Sequence, residues 1–217
     1  MKLNNPCEFP EKLFESLVNH ELMNSFSKLS KKVILWSPSQ SKEASLGYDA
    51  LFKSGVKKLI AIQYKIPKRK YSRKHIGCFR FDLHKNKRGE CKQHGLLCDL
   101  LAKHVVDDVV YCVPLFVENS KLNNYARSET LTKMHVAQIR PKRLISIKGS
   151  HHCVYDSRTA DFYCNNKTET NLVDFDELFF CQPDRTQIRL GSRKKLFKEI
   201  IDNNKKELFG VMFYSVF

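Results

Sequence analysis

The sequence predicts a mixed α/β fold in which helices flank a mixed β-sheet, and three observations carry this prediction. Apolar residues recur at helical spacing over residues 9–26, which indicates an amphipathic helix. Residues 46–52 and 58–66 read as two successive strands. Residues 109–117 are nearly all apolar, as in a strand that is buried on both faces. A helix predicted over residues 91–104 precedes this last strand, an order that is typical of mixed α/β domains.

Shorter elements complete the first half. A β-type run at residues 33–36 stops at Ser37-Pro38-Ser39, because proline and serine favour turns. One or two helical turns are expected at residues 40–45 and a basic loop at residues 67–75. Residues 78–83 alternate between apolar and polar side chains, which predicts a strand.

The second half contains weaker patterns. We expect strands at 144–147 and 153–155, helices at 174–180 and 192–204, and an apolar strand or tail at 209–217. No repeat, low-complexity segment or clear linker separates the two halves. The predicted organisation is therefore an α/β core over residues 1–125 and a C-terminal α+β extension over residues 126–217, packed on that core.

Composition excludes several classes of protein. The chain has 217 residues, of which 42% are hydrophobic and 15 are Phe, so it can form a core and is not disordered throughout. No window reaches the roughly 18 uncharged apolar residues of a membrane span. Charges at Glu8 and Glu11 exclude a signal peptide at this N-terminus. We therefore expect a cytoplasmic protein without a membrane partner.

The eight cysteines do not form a recognisable ligand pattern. No two of them are spaced as Cys-x-x-Cys, the close pair that zinc sites normally require. A cytoplasmic chain also keeps its thiols reduced. The cysteines are therefore predicted to be small apolar residues of the core.

The charge of the chain predicts an acidic partner. Lys and Arg number 38 against 23 Asp and Glu, a formal charge of +15 for which nucleic acid is the usual partner. Basic residues cluster at 65–75, 140–143 and 185–198, and six of the eleven residues in the first cluster are Lys or Arg. A solvated surface would explain any one cluster alone. The residues predicted to contact phosphates are Lys68, Arg69, Lys70, Arg73 and Lys74.

One predicted strand carries polar residues that a purely structural strand would avoid. Gln63 and Lys65 lie two positions apart in residues 58–66 and therefore on one face, and a buried lysine is costly unless it is paired or functional. Asp49 lies on the preceding strand and Glu43 six residues before it. Convergence of these residues would supply oxygen ligands for Mg²⁺ and a lysine beside the metal, which metal-assisted phosphodiester hydrolysis requires.

The pattern Glu43-(five residues)-Asp49-(thirteen residues)-Gln63-Tyr64-Lys65 resembles the PD-(D/E)xK nuclease superfamily, which has the restriction-endonuclease-like fold. Gln replaces the usual acidic residue at position 63, as in the Gln-x-Lys variant of Mrr-type restriction nucleases. The resemblance implies Asp49 as the central metal ligand, Gln63 as a ligand or its support, Lys65 as the catalytic lysine and Glu43 as an auxiliary ligand. It further implies Mg²⁺ or Mn²⁺ as cofactor, DNA as substrate, and restriction or phage defence as context.

Other interpretations stay open from sequence alone. Asp49 and Lys65 would also suit a structural cross-strand ion pair in a non-catalytic nucleic-acid-binding protein. The protein could also act as a homodimer. A further alternative is a subunit of a larger complex with a separate helicase or ATPase motor, because this sequence has no P-loop motif. The segment Ser150-His151-His152 is a weaker candidate for a ligand site, since adjacent residues of a strand face opposite sides.

Overall fold

The computed structural model describes nine segments of the chain: residues 6–28, 34–38, 46–53, 59–69, 77–83, 91–103, 105–142, 151–164 and 166–180. The helices in these segments are α1 (Glu11–Lys28), α2 (Lys92–Ala102), α3 (Asn119–Arg127), α4 (Leu131–Met134) and α5 (Phe175–Phe180). The strands are β1 (Ile34–Trp36), β2 (Ala50–Lys53), β3 (Leu59–Tyr64), β4 (Lys68–Arg69), β5 (Phe79–Asp82), β6 (Asp108–Pro114), β7 (Val136–Ile139), β8 (His152–Tyr155), β9 (Ala160–Cys164), β10 (Asn166–Thr170) and β11 (Leu172–Val173).

A mixed six-stranded sheet forms the centre, in the order β1-β2-β3-β6-β7-β11. Strands β3 and β6 are parallel, and the other neighbours in this sheet are antiparallel. Parallel neighbours need a crossover connection, and helix α2 lies in the chain between β3 and β6. All residues of β3 and β6 are buried, which explains their nearly continuous apolar sequence.

A second, antiparallel sheet covers one face of the central sheet. Its order is β10-β9-β8-β5-β4. Apolar residues of its inner face, such as Phe81 and Phe162, share one core cluster with Ala61 and Tyr111 of the central sheet and Leu97 of α2. This arrangement places the crossover helix and the second sheet on the same side of the central sheet.

Helices cover the opposite face of the central sheet. The buried side chains of α1, including Phe14, Val18 and Leu22, pack against Ile62 and Tyr64 of β3. The same cluster contains residues of α3, α4 and α5. The molecule therefore has a helical layer, a mixed sheet and a second sheet, and the predicted mixed α/β class is confirmed.

Buried carboxylates are satisfied by hydrogen bonds from neighbouring helices and strands. The Glu21 carboxylate of α1 accepts hydrogen bonds from the backbone N–H groups of Leu131 and Thr132 at 3.1 and 3.0 Å, and so caps the N-terminus of α4. Arg140, at the end of β7, donates two hydrogen bonds to Asp108 of β6, at 3.2 and 2.7 Å. A buried carboxylate requires such donors because its charge is otherwise poorly solvated.

The predicted core elements of the first half agree with the structure, with shifts of one to a few residues at their ends. The exception is the basic segment at residues 67–75, for which a loop was predicted. Its first part forms β4, in which Lys68 pairs with Arg80 and Arg69 with Phe79. Charged residues are compatible with this position because β4 is an edge strand. The predicted elements at 40–45, 144–147, 192–204 and 209–217 lie outside the described residues.

Six cysteines of the described segments are free thiols: Cys7, Cys78, Cys91, Cys98, Cys112 and Cys153. Cys91, Cys98, Cys112 and Cys153 are buried, as expected for small residues of the core. Burial raises the pKa of Cys7 to about 11 and that of Cys112 well above its ordinary value. No helix in these segments is both long and apolar enough to cross a membrane.

Candidate functional site

The start of β2 and the end of β3 lie side by side at the same end of the central sheet, because the two strands are antiparallel. The backbone N–H of Asp49 donates to the Ile62 carbonyl at 2.9 Å and continues the ladder one residue beyond β2. Gly47 precedes it with a φ of +83°, where a Cβ atom would lie 2.8 Å from Leu96 Cβ of α2. This glycine lets the chain turn close to α2 immediately before Asp49.

The Asp49 carboxylate is buried and contacts the end of β3. Its Oδ2 atom accepts a hydrogen bond from the Tyr64 backbone N–H at 2.8 Å. The same oxygen accepts a hydrogen bond from Gln63 Nε2 at 2.5 Å. Only 3% of Asp49 and 1% of Gln63 are exposed to solvent. The structure therefore brings together two of the predicted site residues, as expected from their positions on adjacent strands.

Only one orientation of the Gln63 carboxamide directs its NH₂ group toward both neighbouring hydrogen-bond acceptors. Its Nε2 also donates to the Tyr64 carbonyl oxygen at 3.3 Å. Asp49 Oδ2 and this carbonyl are both acceptors, so the NH₂ group must face them. Gln63 Oε1 is then buried without a hydrogen-bond partner among the described residues. Buried polar atoms in proteins are usually hydrogen-bonded, so this oxygen is available to a donor or a cation.

This oxygen is the observation that tests whether the site fits a divalent metal. Asp49 Oδ2, the Tyr64 carbonyl and the Gln63 carboxamide provide a carboxylate, a carbonyl and an amide oxygen, which are ligand types that Mg²⁺ accepts. No group of three or more His, Cys, Asp or Glu side chains in the described segments is arranged to hold a metal. A metal site here would thus depend on the amide and backbone oxygens. Glu43, the predicted auxiliary ligand, lies outside the described residues.

Lys65 directly follows this contact. Its backbone N–H donates to the Cys112 carbonyl of β6 at 3.2 Å, which continues the β3–β6 pairing beyond Tyr64. One peptide unit, about 3.8 Å, separates its Cα from that of Tyr64, whose N–H binds Asp49. The side chain is half-buried, and its ammonium makes no salt bridge within the described part of the chain. The backbone of Lys65 is therefore adjacent to the residue that binds Asp49.

The sequence interpretation missed Glu11, which also lies beside Lys65. Glu11 occupies the first turn of α1, and its carboxylate accepts a hydrogen bond from the Ile66 backbone N–H. Burial raises the pKa of Glu11 above its ordinary value, whereas the Lys65 ammonium and the Ile66 N–H act in the opposite direction. The only sequence signal was an acidic residue directly after Pro10 at a helix start, and nothing local relates it to a strand 54 positions later.

The aromatic residue Tyr111, on the next strand of the central sheet, lies beside the site. Tyr111 of β6 is the Cα partner of Gln63. Burial raises the pKa of Tyr111 well above its ordinary value, and the nearby Asp49 charge adds to this shift. His94 of α2 stacks on the Tyr111 ring with a centroid distance of 5.9 Å. Tyr111 pairs with Gln63 through the strand register and contacts His94 through its side chain, so β6 connects α2 to the candidate site.

The buried imidazole of His94 should make the stability of the protein depend on pH. Its Nε2 lies 2.9 Å from the Lys142 carbonyl, which can only accept, so Nε2 carries the proton and Nδ1 accepts from the Tyr111 hydroxyl at 2.8 Å. Burial lowers the pKa of His94 from 6.5 to about 4. The unfolded chain therefore binds a proton that the folded protein excludes between these pH values. The free energy of unfolding should fall by about 3 kcal/mol as the pH decreases from 7 to 4.

Urea titrations at several pH values measure this contribution as a difference from the His94→Gln variant. The carboxylates affect both proteins equally, so the His94 contribution remains after subtraction. His20→Gln, which removes an exposed imidazole, is the matched control and should retain the dependence of the parent. Parallel pH profiles of the parent and the His94→Gln variant would contradict the assignment of a buried neutral imidazole.

The described part of the predicted phosphate-binding cluster is partly neutralised. Lys68 is exposed on β4, and its ammonium lies 3.9 Å from Asp82 of β5. Asp82 also accepts from Arg80 at 2.6 Å. Arg69 lies on β4, whereas Lys70, Arg73 and Lys74 lie outside the described residues, so their role stays a prediction.

The excess positive charge lies almost entirely outside the described segments. Those segments contain 16 of the 38 Lys and Arg residues and 17 of the 23 Asp and Glu residues. The remaining 83 residues therefore contain 22 basic and 6 acidic residues. The described scaffold is close to neutral, and any electrostatic attraction to nucleic acid must come mainly from the other segments.

The described residues of the basic cluster at 140–143 make contacts within the protein. Arg140 is occupied by Asp108 and by Glu177 of α5, at 2.7 and 3.4 Å. Lys142 donates to the Glu169 carbonyl at 3.0 Å. These contacts give both residues a structural role. The cluster at 185–198 lies outside the described residues.

His151 and His152 face different environments, as expected for adjacent residues. His151 is buried before β8, and its carbonyl accepts from the Leu83 N–H at 3.1 Å. His152 stacks on Tyr163 of β9 with a centroid distance of 5.1 Å. The observed contacts of both residues are structural.

Comparison with known proteins provides no relative. No protein-family model, curated protein or solved structure matches this chain.

Proposed function

We propose that this protein is a metal-dependent nuclease of the PD-(D/E)xK type that hydrolyses DNA phosphodiester bonds, in the manner of Mrr-type restriction or phage-defence nucleases. The observation that carries this proposal is the buried Asp49–Gln63 contact, with the unpartnered Gln63 Oε1 beside it and Lys65 immediately after it. The chain order also supports it: a helix, the antiparallel pair β2–β3, a crossover helix and the parallel strand β6.

The residues have separable roles in this proposal. Asp49, the Gln63 carboxamide and the Tyr64 carbonyl would hold a Mg²⁺ or Mn²⁺ ion, with Glu43 as a further ligand. The bound ion supplies charge neutralisation at the phosphate and a water of lowered pKa. Lys65 would orient the attacking water and stabilise negative charge that develops on the phosphate. Glu11 positions this segment by accepting the Ile66 N–H beside Lys65.

The test is incubation of the purified protein with supercoiled plasmid DNA in Mg²⁺ or Mn²⁺ and, in parallel, in EDTA. We expect nicked or linear DNA only with the metal. Intact DNA under all conditions, including linear, single-stranded and branched substrates, would contradict the proposal. RNA of the same sequence determines whether the substrate class is DNA alone.

The second candidate function is non-catalytic binding of nucleic acid on the same fold. The observation that favours it is the closed Asp49–Gln63 pair, which is 1–3% exposed and already satisfies the carboxylate with N–H donors. This candidate predicts salt-dependent DNA binding that is unaffected by metal. If a motor subunit completes the enzyme, cleavage would require that subunit together with Asp49 and Lys65.

A further inference from the structure

We infer that the Gln63 carboxamide has two roles at Asp49. In the metal-free protein its NH₂ group takes the place of a cation beside the Asp49 carboxylate. When the cation binds, the carboxamide turns and its oxygen becomes a ligand of that cation. The inference rests on the proposed function. In the observed state the NH₂ group of Gln63 lies between two oxygen acceptors, Asp49 Oδ2 at 2.5 Å and the Tyr64 carbonyl at 3.3 Å.

A divalent cation needs the same surroundings as this NH₂ group. Both are positive and both are attracted to the carboxylate and to the carbonyl. A half-turn of the carboxamide exchanges its nitrogen and oxygen atoms and directs Oε1 toward the two acceptors. Without a cation, Oε1 would be repelled by the Asp49 carboxylate and the Tyr64 carbonyl. With a cation bound, Oε1 would be its third oxygen ligand.

The unpartnered Oε1 is the second observation that supports this exchange. In the present orientation this buried atom has no hydrogen-bond partner among the described residues. Pairing with Asp49 uses only the NH₂ group, so the oxygen is the part of the carboxamide that the observed state leaves unused. In the metal-bound orientation this oxygen would become a ligand.

Gln at this position therefore has a property that the usual acidic residue lacks. A carboxylate at position 63 would face Asp49 without a donor, so the metal-free site would contain two adjacent buried negative charges. The carboxamide stabilises the metal-free protein and in exchange must be displaced before the ion binds. We expect weaker metal binding, together with a more stable metal-free state, than a site with Glu at position 63.

Thermal melts of the parent and of the Gln63→Glu variant at pH 8 test this inference, in EDTA and in saturating Mg²⁺. In EDTA we expect the Tm of the variant to be lower by about 5–10 °C, because it has lost a buried donor and gained a charge. Mg²⁺ should raise the Tm of the variant by at least about twice the rise of the parent. Gln138→Glu is the matched control, since Gln138 is another buried glutamine of the central sheet. Its Mg²⁺-dependent rise should equal that of the parent.

The outcomes separate this inference from the proposed function. An equal or smaller Mg²⁺-dependent rise in Gln63→Glu, or no loss of Tm in EDTA, overturns the exchange while the metal site stands. No Mg²⁺-dependent rise in the parent or in either variant overturns the metal site and the exchange with it.

A direct readout on the parent applies even if the Gln63→Glu variant does not fold. The NMR signals of the Gln63 NH₂ protons are identified by their absence from the Gln63→Met variant. We expect them to shift when Mg²⁺ is added, whereas those of Gln138 stay in place. The exchange would be overturned if the chemical shifts of the Gln63 NH₂ protons stayed unchanged at a Mg²⁺ concentration that gives the full rise in Tm.

Discussion

The Asp49→Asn variant is expected to lose metal-dependent DNA cleavage by about 10³-fold, and Lys65→Met by at least about 10²-fold. Asn has the shape of Asp, and its oxygen can still accept from the Tyr64 N–H, so the fold should persist while the negative charge is removed. Met preserves the aliphatic stem of Lys65, which makes no salt bridge among the described residues. Cleavage rates with plasmid DNA measure both losses.

The matched control uses an acidic and a basic residue away from the site. Asp161 of β9 and Lys167 of β10 form a surface pair at 3.1 Å, and the Asp161→Asn and Lys167→Met variants should cleave as the parent does. Circular dichroism and thermal melts confirm that all four variants are folded. Parent-like cleavage by both Asp49→Asn and Lys65→Met would place the activity elsewhere in the chain.

Neutralisation of the basic cluster should weaken DNA binding by about 10²-fold at moderate salt. The variant replaces Lys68, Arg69, Lys70 and Arg73 with Gln. Each phosphate contact contributes about 0.9 to the slope of log affinity against log salt, so four lost contacts should flatten that slope by about 3–4. Fluorescence anisotropy with a labelled duplex over a range of salt concentrations measures both quantities, with EDTA present to prevent cleavage.

The control for this experiment removes the same charge from helices. Lys28, Lys103, Lys121 and Lys133 lie on or directly after α1, α2, α3 and α4, and their side chains are exposed or half-exposed. Replacing them with Gln changes the net charge equally but should leave most of the salt dependence intact. Equal losses in the two quadruple variants would show that binding depends on net charge alone and not on the basic cluster.

Elements with a strong periodic pattern were predictable from sequence. Helix α1 has apolar residues at helical spacing, and β6 is apolar on both faces because it is central in the sheet. Strand β10, with the sequence Asn-Lys-Thr-Glu-Thr, was not recognised because its side chains have no apolar face. It is a strand because β9 supplies backbone partners along its whole length. Such edge pairing depends on the neighbour, and local composition does not encode it.

The candidate site was predictable in part for the same reason. The approach of Asp49 to Gln63 follows from two consecutive strands with antiparallel register, which the sequence suggests. The direction of the Gln63 carboxamide depends on the Tyr64 carbonyl, and the approach of Glu11 depends on the packing of α1 across the sheet. Neither is visible in local spacing. The role of Glu43 stays a prediction.

Calorimetric titration of Mn²⁺ into the parent and into Asp49→Asn is the most direct test of the metal site. We expect the parent to bind one ion and the Asp49→Asn variant to bind it at least about 10²-fold more weakly, because the carboxylate is the only charged ligand in the described set. The Asp161→Asn variant should bind like the parent. Binding of equal strength in the parent and Asp49→Asn, or no binding in the parent, would contradict a metal site at the end of β3.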